Sequence, residues 1–257
     1  MNATPRYGNF ELSTYWRSSS SWRVRTALAC KGILYKSLAV HLVKGEQGED
    51  ANSAHNPMMQ VPTLHFWDNE LKKKVSITQS IAIMLFLEDA FPSSLGRTLL
   101  PRDPVDKAMA MMLAEIVNSG TQPLQNFGVI KKLNKELGMD SGISMTGRTF
   151  AKDHIEIGLR ALEQVVSGIQ KDKEQQKIEE EMYYAIGGDV PTIADACILP
   201  QLYNARRFEV DVEKLCPCLL KVEAKCKDHE WFKQSHPDMA PDAVIAVVEP
   251  EAKKAKK

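Results

Sequence analysis

Tyr15-Trp16-Arg17-Ser18-Ser19-Ser20-Ser21-Trp22-Arg23-Val24-Arg25 is the stretch on which the fold turns. Leu12 to Tyr15 reads as a short strand leading into it, and Trp22 to Lys31 as a helix that Gly32 stops. Consecutive hydroxyls at a strand-to-helix passage allow two arrangements. In one, a single serine caps the helix and the others fill a turn. In the other, the hydroxyls join the unpaired amides of the first helical turn to hold an anion. Arg17, Arg23 and Arg25 are open in the same way, between anion clamps and solvated helix charges.

Working outward, strand-like and helix-like segments alternate from Glu11 to Pro92. Leu38, Val40 and Leu42 mark a second strand with one face in a core. Thr63 to Trp67 and Lys74 to Ile77 flank Asp68-Asn69-Glu70, a break suited to a hairpin. Ile81 to Leu87 reads as a helix covering the sheet. The order βαβ then ββα predicts a small mixed sheet with helices against it. Within Asn56-Pro57-Met58-Met59-Gln60-Val61-Pro62-Thr63-Leu64, a proline opens a strand and removes a ladder donor. A cis Val61–Pro62 bond would turn the Val61 backbone toward a peptide-like ligand. Thr78-Gln79-Ser80-Ile81 places another hydroxyl at a helix start, either as N-cap or as a grip on a carboxylate.

Beyond the Pro-, Ser- and Gly-rich residues 92–104 the strand signals stop. Val105, Ala108, Met109, Met112, Leu113 and Ile116 predict one apolar helical stripe, with the methionines in the core. Ile155, Leu159, Leu162, Val166 and Ile169 predict another. Thr192-Ile193-Ala194-Asp195 is a capping box, and Pro200 is expected to kink or end the helix it starts. Lys171 to Glu181 reads as a solvated helix face or loop. The expected division is an α/β domain over 9–91, a linker over 92–104, an all-helical domain over 105–236 and a mobile basic tail over 237–257.

Composition narrows the function. The chain has 257 residues, 44% hydrophobic and 26% charged, with 33 basic and 33 acidic side chains. No global field draws this surface to nucleic acid or membrane, and no apolar run approaches a membrane span. Five cysteines, an odd number, and an N-terminus without a secretory apolar run point to a reducing, cytoplasmic setting. Cys216-Pro217-Cys218 has poor metal spacing, so no metal is expected. Dinucleotide, P-loop, nucleophile-elbow and zincin motifs are absent, and the histidines are scattered.

Ser18-Ser19-Ser20-Ser21-Trp22-Arg23-Val24-Arg25, Asn56-Pro57-Met58-Met59-Gln60-Val61-Pro62 and Gln79-Ser80-Ile81-Ala82-Ile83 resemble, in order and spacing, the zeta class of glutathione transferases, which includes maleylacetoacetate isomerase. Leu99-Leu100-Pro101-Arg102-Asp103-Pro104, Gln122-Pro123-Leu124-Gln125-Asn126 and Ala205-Arg206-Arg207-Phe208 extend the resemblance, which runs from about Leu12 to Pro241. It implies the glutathione transferase fold: a thioredoxin-like α/β N-terminal domain and an all-α C-terminal domain, in a homodimer. It also implies glutathione as cofactor and a small organic acid as substrate. The implied activity is cis–trans isomerisation of maleylacetoacetate-type acids in tyrosine and phenylalanine breakdown, by thiolate addition, rotation and elimination. Transfer of glutathione to α-halo acids and a non-catalytic adaptor are the alternatives.

Carried over by position, Ser18 matches the serine that activates the thiol, with Ser19 and Ser20 beside it. Val61 matches the backbone partner of the cysteinyl unit, and Gln79 with Ser80 the holders of the γ-glutamyl end. Gln47, Gln122 and Asn126 match further glutathione contacts. Arg207 matches the arginine assigned to a substrate carboxylate, with Arg17 or Arg23 expected to help orient it. Ser20 departs from the family, which usually has cysteine there; serine is nearly isosteric but is neither a nucleophile nor a redox centre at neutral pH.

Overall fold

The computed structural model describes residues 5–42, 44–48, 54–92, 97–137, 145–175 and 184–243. Packing divides the chain into two compact units. One comprises the segments up to Thr98 and from Glu230 onward, the other Leu99–His229. The expected helical domain ran to residue 236, whereas by packing the segment from Glu230 joins the front unit.

In the front unit, β1 (Tyr7–Thr14) is followed by α1 (Ser19–Lys31), β2 (Lys36–Ala39), β3 (Thr63–Asp68), β4 (Lys73–Thr78) and α2 (Ser80–Ala90). The four strands lie in the order β2-β1-β3-β4. β2 runs parallel to β1, while β3 and β4 are antiparallel to their neighbours. Only a crossover can join parallel strands, and α1 is that crossover. It is buried on nearly every side and packs against α2 and α9 (Glu230–Ser235). Gly32 ends it with φ 65°, and Ile33 N–H returns to Leu28 O at 2.9 Å. The hairpin turns at Asp68, whose Oδ1 accepts from the Glu70 and Leu71 amides at 2.8 and 3.0 Å. Phe66 stacks on Phe86 at 4.7 Å, fixing α2 to β3.

Several expected boundaries move. β1 starts at Tyr7 and ends at Thr14 instead of covering Leu12 to Tyr15. β2 ends at Ala39, so of the alternating Leu38, Val40 and Leu42 only Leu38 lies in the strand. The Val40 amide still bonds Thr14 O at 2.8 Å. α1 begins three residues before Trp22, at Ser19, because the cap is Ser18.

The rear unit holds α3 (Pro104–Asn118), a 3-10 turn (Gln122–Gln125), α4 (Phe127–Glu136), α5 (Met145–Gln175), α6 (Ile193–Arg207), α7 (Val212–Leu215) and α8 (Pro217–Asp228). Asp103 caps α3 through the Val105 and Asp106 amides, with Pro104 in the first turn. The buried stripe of α3 is Ala110, Leu113, Ala114 and Val117. Val105, Ala108 and Met112, expected in the core, are exposed. Apolar residues circle this helix, so periodicity leaves the phase of its buried face open. α5 buries Ile155, Leu159, Leu162, Val166 and Ile169 as expected. Gly158 lets α5 approach the 3-10 turn, since a Cβ there would stand 2.0 Å from Thr121 Oγ1.

α6 is the centre of this unit, buried along almost all its length and packed against α3. Its capping box is complete. Thr192 Oγ1 accepts from the Ala194 amide, and Asp195 Oδ2 accepts from the Thr192 amide at 2.7 Å. Asp195 Oδ1 accepts from the Ala185 amide at 2.8 Å, tying the preceding loop to the helix. Pro200 sits inside α6 without ending it. Of 171–181, residues through 175 continue α5, and the remainder lies outside the described residues.

All five cysteines are buried thiols outside any disulfide. Burial pushes the Cys216 and Cys218 thiols up, to about 12 and about 11. No metal-holding cluster occurs among the described residues. No described helix is long and apolar enough to cross a membrane. The expected mobile tail is partly docked: Pro237–Met239 forms a 3-10 turn, and Ala240 and Ala243 pack on Trp16. The basic residues 253–257 and the apolar patch 244–248 lie outside the described residues.

Asp195→Ala removes acceptors from three buried donors and is expected to lower the unfolding free energy by about 2–4 kcal/mol, read by denaturant melts. A loss below about 0.5 kcal/mol contradicts the role assigned to the box. His65 is buried between Ser13 Oγ at 3.0 Å and Ser76 Oγ at 2.8 Å. Burial first, then the Lys74 charge, lower its pKa from 6.5 to about 4. Below 6.5 the unfolded chain therefore binds this proton more readily, and stability falls as pH drops toward 4, by about 3 kcal/mol for this residue. H65N is expected to flatten that part of the stability profile; an unchanged slope contradicts it.

Candidate functional site

Four of the segments singled out in the sequence meet at one end of the sheet, and the strand register brings them there. Ser13 pairs with Leu38 on one side and Thr63 on the other, and Thr63 pairs with Thr78. This row closes β3 and β4, and β1 and β2 pair one residue beyond it, Thr14 with Ala39. β1 leaves it toward Ser18, β2 toward the loop carrying Gln47, and β4 toward Gln79 and Ser80; β3 enters it from Val61. In open α/β sheets ligands collect beyond such an end, where helix N-termini also gather.

Ser18 closes a tight turn, its amide bonding Tyr15 O at 3.0 Å. It is extended, with φ −72° and ψ 118°, and its Oγ accepts from the Ser21 amide at 3.2 Å. Ser18 is thus the N-cap of α1. The accepting bond fixes the oxygen and leaves its own hydrogen to be donated elsewhere. Ser19 and Ser20 are half-buried in the first turn, and Ser21 is buried.

The start of α2 is built differently. Its N-cap is Gln79, at φ 70°, and no side chain caps its first turn. Ser80, expected as a possible N-cap, is instead the first helical residue. A non-glycine residue at this φ is strained by about 1–3 kcal/mol, and such strain collects at functional sites. The helix N-terminus therefore presents amides and a positive dipole end to an incoming anion. Ser80 is buried and its Oγ accepts from Arg23 Nη1 at 3.2 Å, so its hydrogen too can be donated. This bond joins the beginnings of α1 and α2.

The arginines sort clearly. Arg23 and Arg25 are buried and are not solvated helix charges. Arg25 donates to Thr14 Oγ1, Trp16 O and Ser235 O at 3.1–3.2 Å. Burial lowers its pKa to about 10, which leaves it cationic at neutral pH. Arg17 is exposed, with its guanidinium 4.1 Å from the Trp16 ring centroid. Val61–Pro62 is cis, and Val61 is half-buried beside the first residue of β3. Gln47 lies in a 3-10 turn (Glu46–Gly48), and its Oε1 is buried without a hydrogen-bond partner among the described residues. An orphaned buried acceptor of this kind suits a ligand donor.

In the rear unit, Asn126 caps α4 by accepting from the Gly128 amide at 2.9 Å. Gln122 opens the 3-10 turn, which is tied to α6 by the reciprocal amide pair Gln125–Gln201 at 2.8 and 3.0 Å. Arg206 is bound to Glu223 through both terminal nitrogens and to Glu213 through Nε. Its neighbour Arg207, at the end of α6, is exposed and donates to Asn204 Oδ1 at 3.0 Å. Arg207 is thus the member of the pair that faces solvent. The site residues that sequence reasoning missed are Asp242, which accepts from the Trp16 amide, and Ser235. Asp242 lies 226 positions from the loop amide it holds, and Ser235 lies 213 from the α1 side chain of Trp22 it bonds, so no local pattern marks them.

Comparison with known proteins agrees with this geometry. Residues 17–90 match the family model described as the glutathione S-transferase N-terminal domain. A maleylacetoacetate isomerase of Mus musculus is 36% identical over 233 residues, covering 90% of this chain and 94% of its own. The crystal structure of a maleylacetoacetate isomerase from Anaeromyxobacter dehalogenans 2CP-1 with bound glutathione in its active site is 39% identical. It covers 93% of this chain and 100% of its own, with a TM-score of 0.76. A bacterial maleyl pyruvate isomerase, a glutathione S-transferase in zeta class, is 32% identical over 90% of this chain and 99% of its own, also with a TM-score of 0.76. With this identity over nearly the whole length, and with the serine-capped helix, the cis-proline and the uncapped second helix in place, the chain belongs to the zeta-class glutathione transferase family that contains the maleylacetoacetate isomerases.

Proposed function

We propose that the protein is a glutathione-dependent cis–trans isomerase of maleylacetoacetate-type acids. The observation that carries the proposal is the Ser18 hydroxyl, whose oxygen is occupied by the Ser21 amide and whose hydrogen is left to donate at the start of α1. The residues present suit glutathione. An uncapped helix start with Ser80 and Gln79 fits its γ-glutamyl carboxylate, Val61 offers backbone groups beside a cis-proline, and the orphaned Gln47 Oε1 offers an acceptor.

The demand on Ser18 is modest. A free thiol has a pKa of about 8.5, and lowering it by about two units requires about 2.7 kcal/mol of preference for the anion. A hydrogen bond to a charged group contributes about 1.5–3 kcal/mol, and a helix N-terminus about 0.3–1 kcal/mol or somewhat more when partly buried. The Ser18 hydroxyl and the α1 dipole together cover the requirement. Ser19 and Ser20 line the same first turn, and Ser20 keeps the shape of the usual cysteine without its reactivity. Glutathione, when bound, would supply a thiolate able to add reversibly to the conjugated double bond of the acid, which is the chemistry that cis–trans isomerisation requires. On the family resemblance we assign Arg207 to a carboxylate of the acid and Gln122 and Asn126 to ligand contacts, while Arg17 adds a cation beside the serine loop.

We further place the enzyme in the cytoplasm as a homodimer. Five buried thiols fit a reducing compartment. The exposed side of α3 offers Val105, 67% exposed, and Met112, 43% exposed, as an apolar face for a second copy.

The test follows maleylacetone, a stable analogue of the acid, by absorbance with glutathione present and omitted. The expected result is cis-to-trans turnover only with glutathione, with the total thiol constant, showing that Ser20 suffices in place of cysteine. Consumption of glutathione, or binding without isomerisation, contradicts the isomerase and favours transfer to α-halo acids.

A further inference from the structure

We propose that Asp242 and Arg25 are positioning residues for the glutathione site: Asp242 from the far end of the chain and Arg25 from within α1 hold the Tyr15–Ser18 turn and so set where the Ser18 hydroxyl points. This inference rests on the proposed function and adds to it two residues that do not touch the ligand.

The turn has few ways of being held by its own strand. β1 ends at Thr14, and Ser18 begins the capped helix, so Tyr15, Trp16 and Arg17 hang between two regular elements. Buried charged groups grip both polar edges of that span. The Trp16 amide donates to Asp242 Oδ2 at 2.8 Å. The Trp16 carbonyl accepts from Arg25 Nη2 at 3.1 Å, and the Tyr15 carbonyl from Nη1 at 3.5 Å. The Tyr15 carbonyl is also the acceptor for the Ser18 amide, so Arg25 and Ser18 share one oxygen. A shift of that carbonyl moves the cap directly.

The docking segment is itself fixed. Arg25 Nε bonds Ser235 O at 3.1 Å, while the Ser235 hydroxyl pairs with Trp22 Nε1 at 3.0 Å and Thr26 Oγ1 at 2.9 Å. Trp16 then packs against Ala240 and Ala243, on either side of Asp242. Stability alone is a poor reason for this carboxylate. Asp242 is buried, and its Oδ1 has no hydrogen-bond partner among the described residues. A buried carboxyl with an unfilled acceptor is weak evidence of a stabilising role, whereas its bond to the Trp16 amide fixes where the loop backbone lies. Asp242 thus acts on the amide of a loop and not on the core.

The experiment compares wild type, D242A and D242N by calorimetric binding of glutathione, by hydrogen exchange of the Tyr15–Ser18 amides and by thermal melting. Steady-state KM values for glutathione and for the acid complete the set. D242A is expected to weaken glutathione binding about tenfold and to speed exchange of the Trp16 amide at least tenfold. The KM for the acid should stay within about twofold. D242N, which keeps an oxygen at the same reach, should recover binding to within about threefold of wild type. If D242A does not fold, D242N against D242E gives the same contrast, because the longer side chain displaces the acceptor. Unchanged glutathione affinity and unchanged Trp16 exchange in D242A, or a D242N no better than D242A, overturns the inference. Wild-type protein that binds no glutathione overturns the proposed function and this inference with it. Normal wild-type binding with an indifferent D242A overturns the inference alone.

Discussion

A helix that starts beside an open sheet end leaves backbone amides without partners, and the way each start is satisfied governs this molecule. At α1 the Ser18 oxygen takes the Ser21 amide. At α2 no side chain takes that part, and the backbone is held at an uncommon φ by Gln79. One start is thereby a fixed hydroxyl with a hydrogen to give, the other a set of amides awaiting an anion. The Arg23–Ser80 bond holds the two starts together. A thiol-bearing peptide with a terminal carboxylate meets both needs in one molecule, which is why the geometry suits glutathione more than a simple inorganic anion.

The rest of the front unit follows from keeping those starts in register. Parallel pairing of β2 with β1 requires the α1 crossover, and antiparallel β3 and β4 bring Val61 and Ser80 back to the same end of the sheet. Burying α1 on nearly all sides makes its position stiff, but it also carries two arginines into the interior. A buried guanidinium must be paired through many donors or it destabilises the fold. Arg25 meets that condition by bonding the very loop that leads to Ser18. A structural requirement and a functional one are thus served by the same bonds.

Much of this was legible from local patterns. The Thr192–Asp195 box, the Ile155 to Ile169 stripe, the Gly32 stop and the serine cap are signals that act over a few residues, and each has its expected structural counterpart. The resemblance in the serine loop and the Gln-Val-Pro segment gave the family. What was not legible depends on distant partners. Arg23 and Arg25 stayed open between anion clamps and solvated helix charges because nothing nearby says that one will bond Ser80 and the other Ser235. The α3 stripe was assigned to the wrong phase because apolar side chains surround that helix. The docked start of the tail hinges on a bond between residues 226 positions apart, which no window of sequence contains.

The account stands most directly on the Ser18 hydrogen bond to a thiolate. Its measurement is an ultraviolet titration of enzyme-bound glutathione, following thiolate absorbance against pH in the native protein and in Ser18→Ala. The account predicts a bound thiol pKa about two units below the free value in the native protein, and a return most of the way toward about 8.5 in Ser18→Ala, with glutathione still bound. An equal thiol pKa in the two proteins would contradict it and would move thiol activation away from the Ser18 hydroxyl.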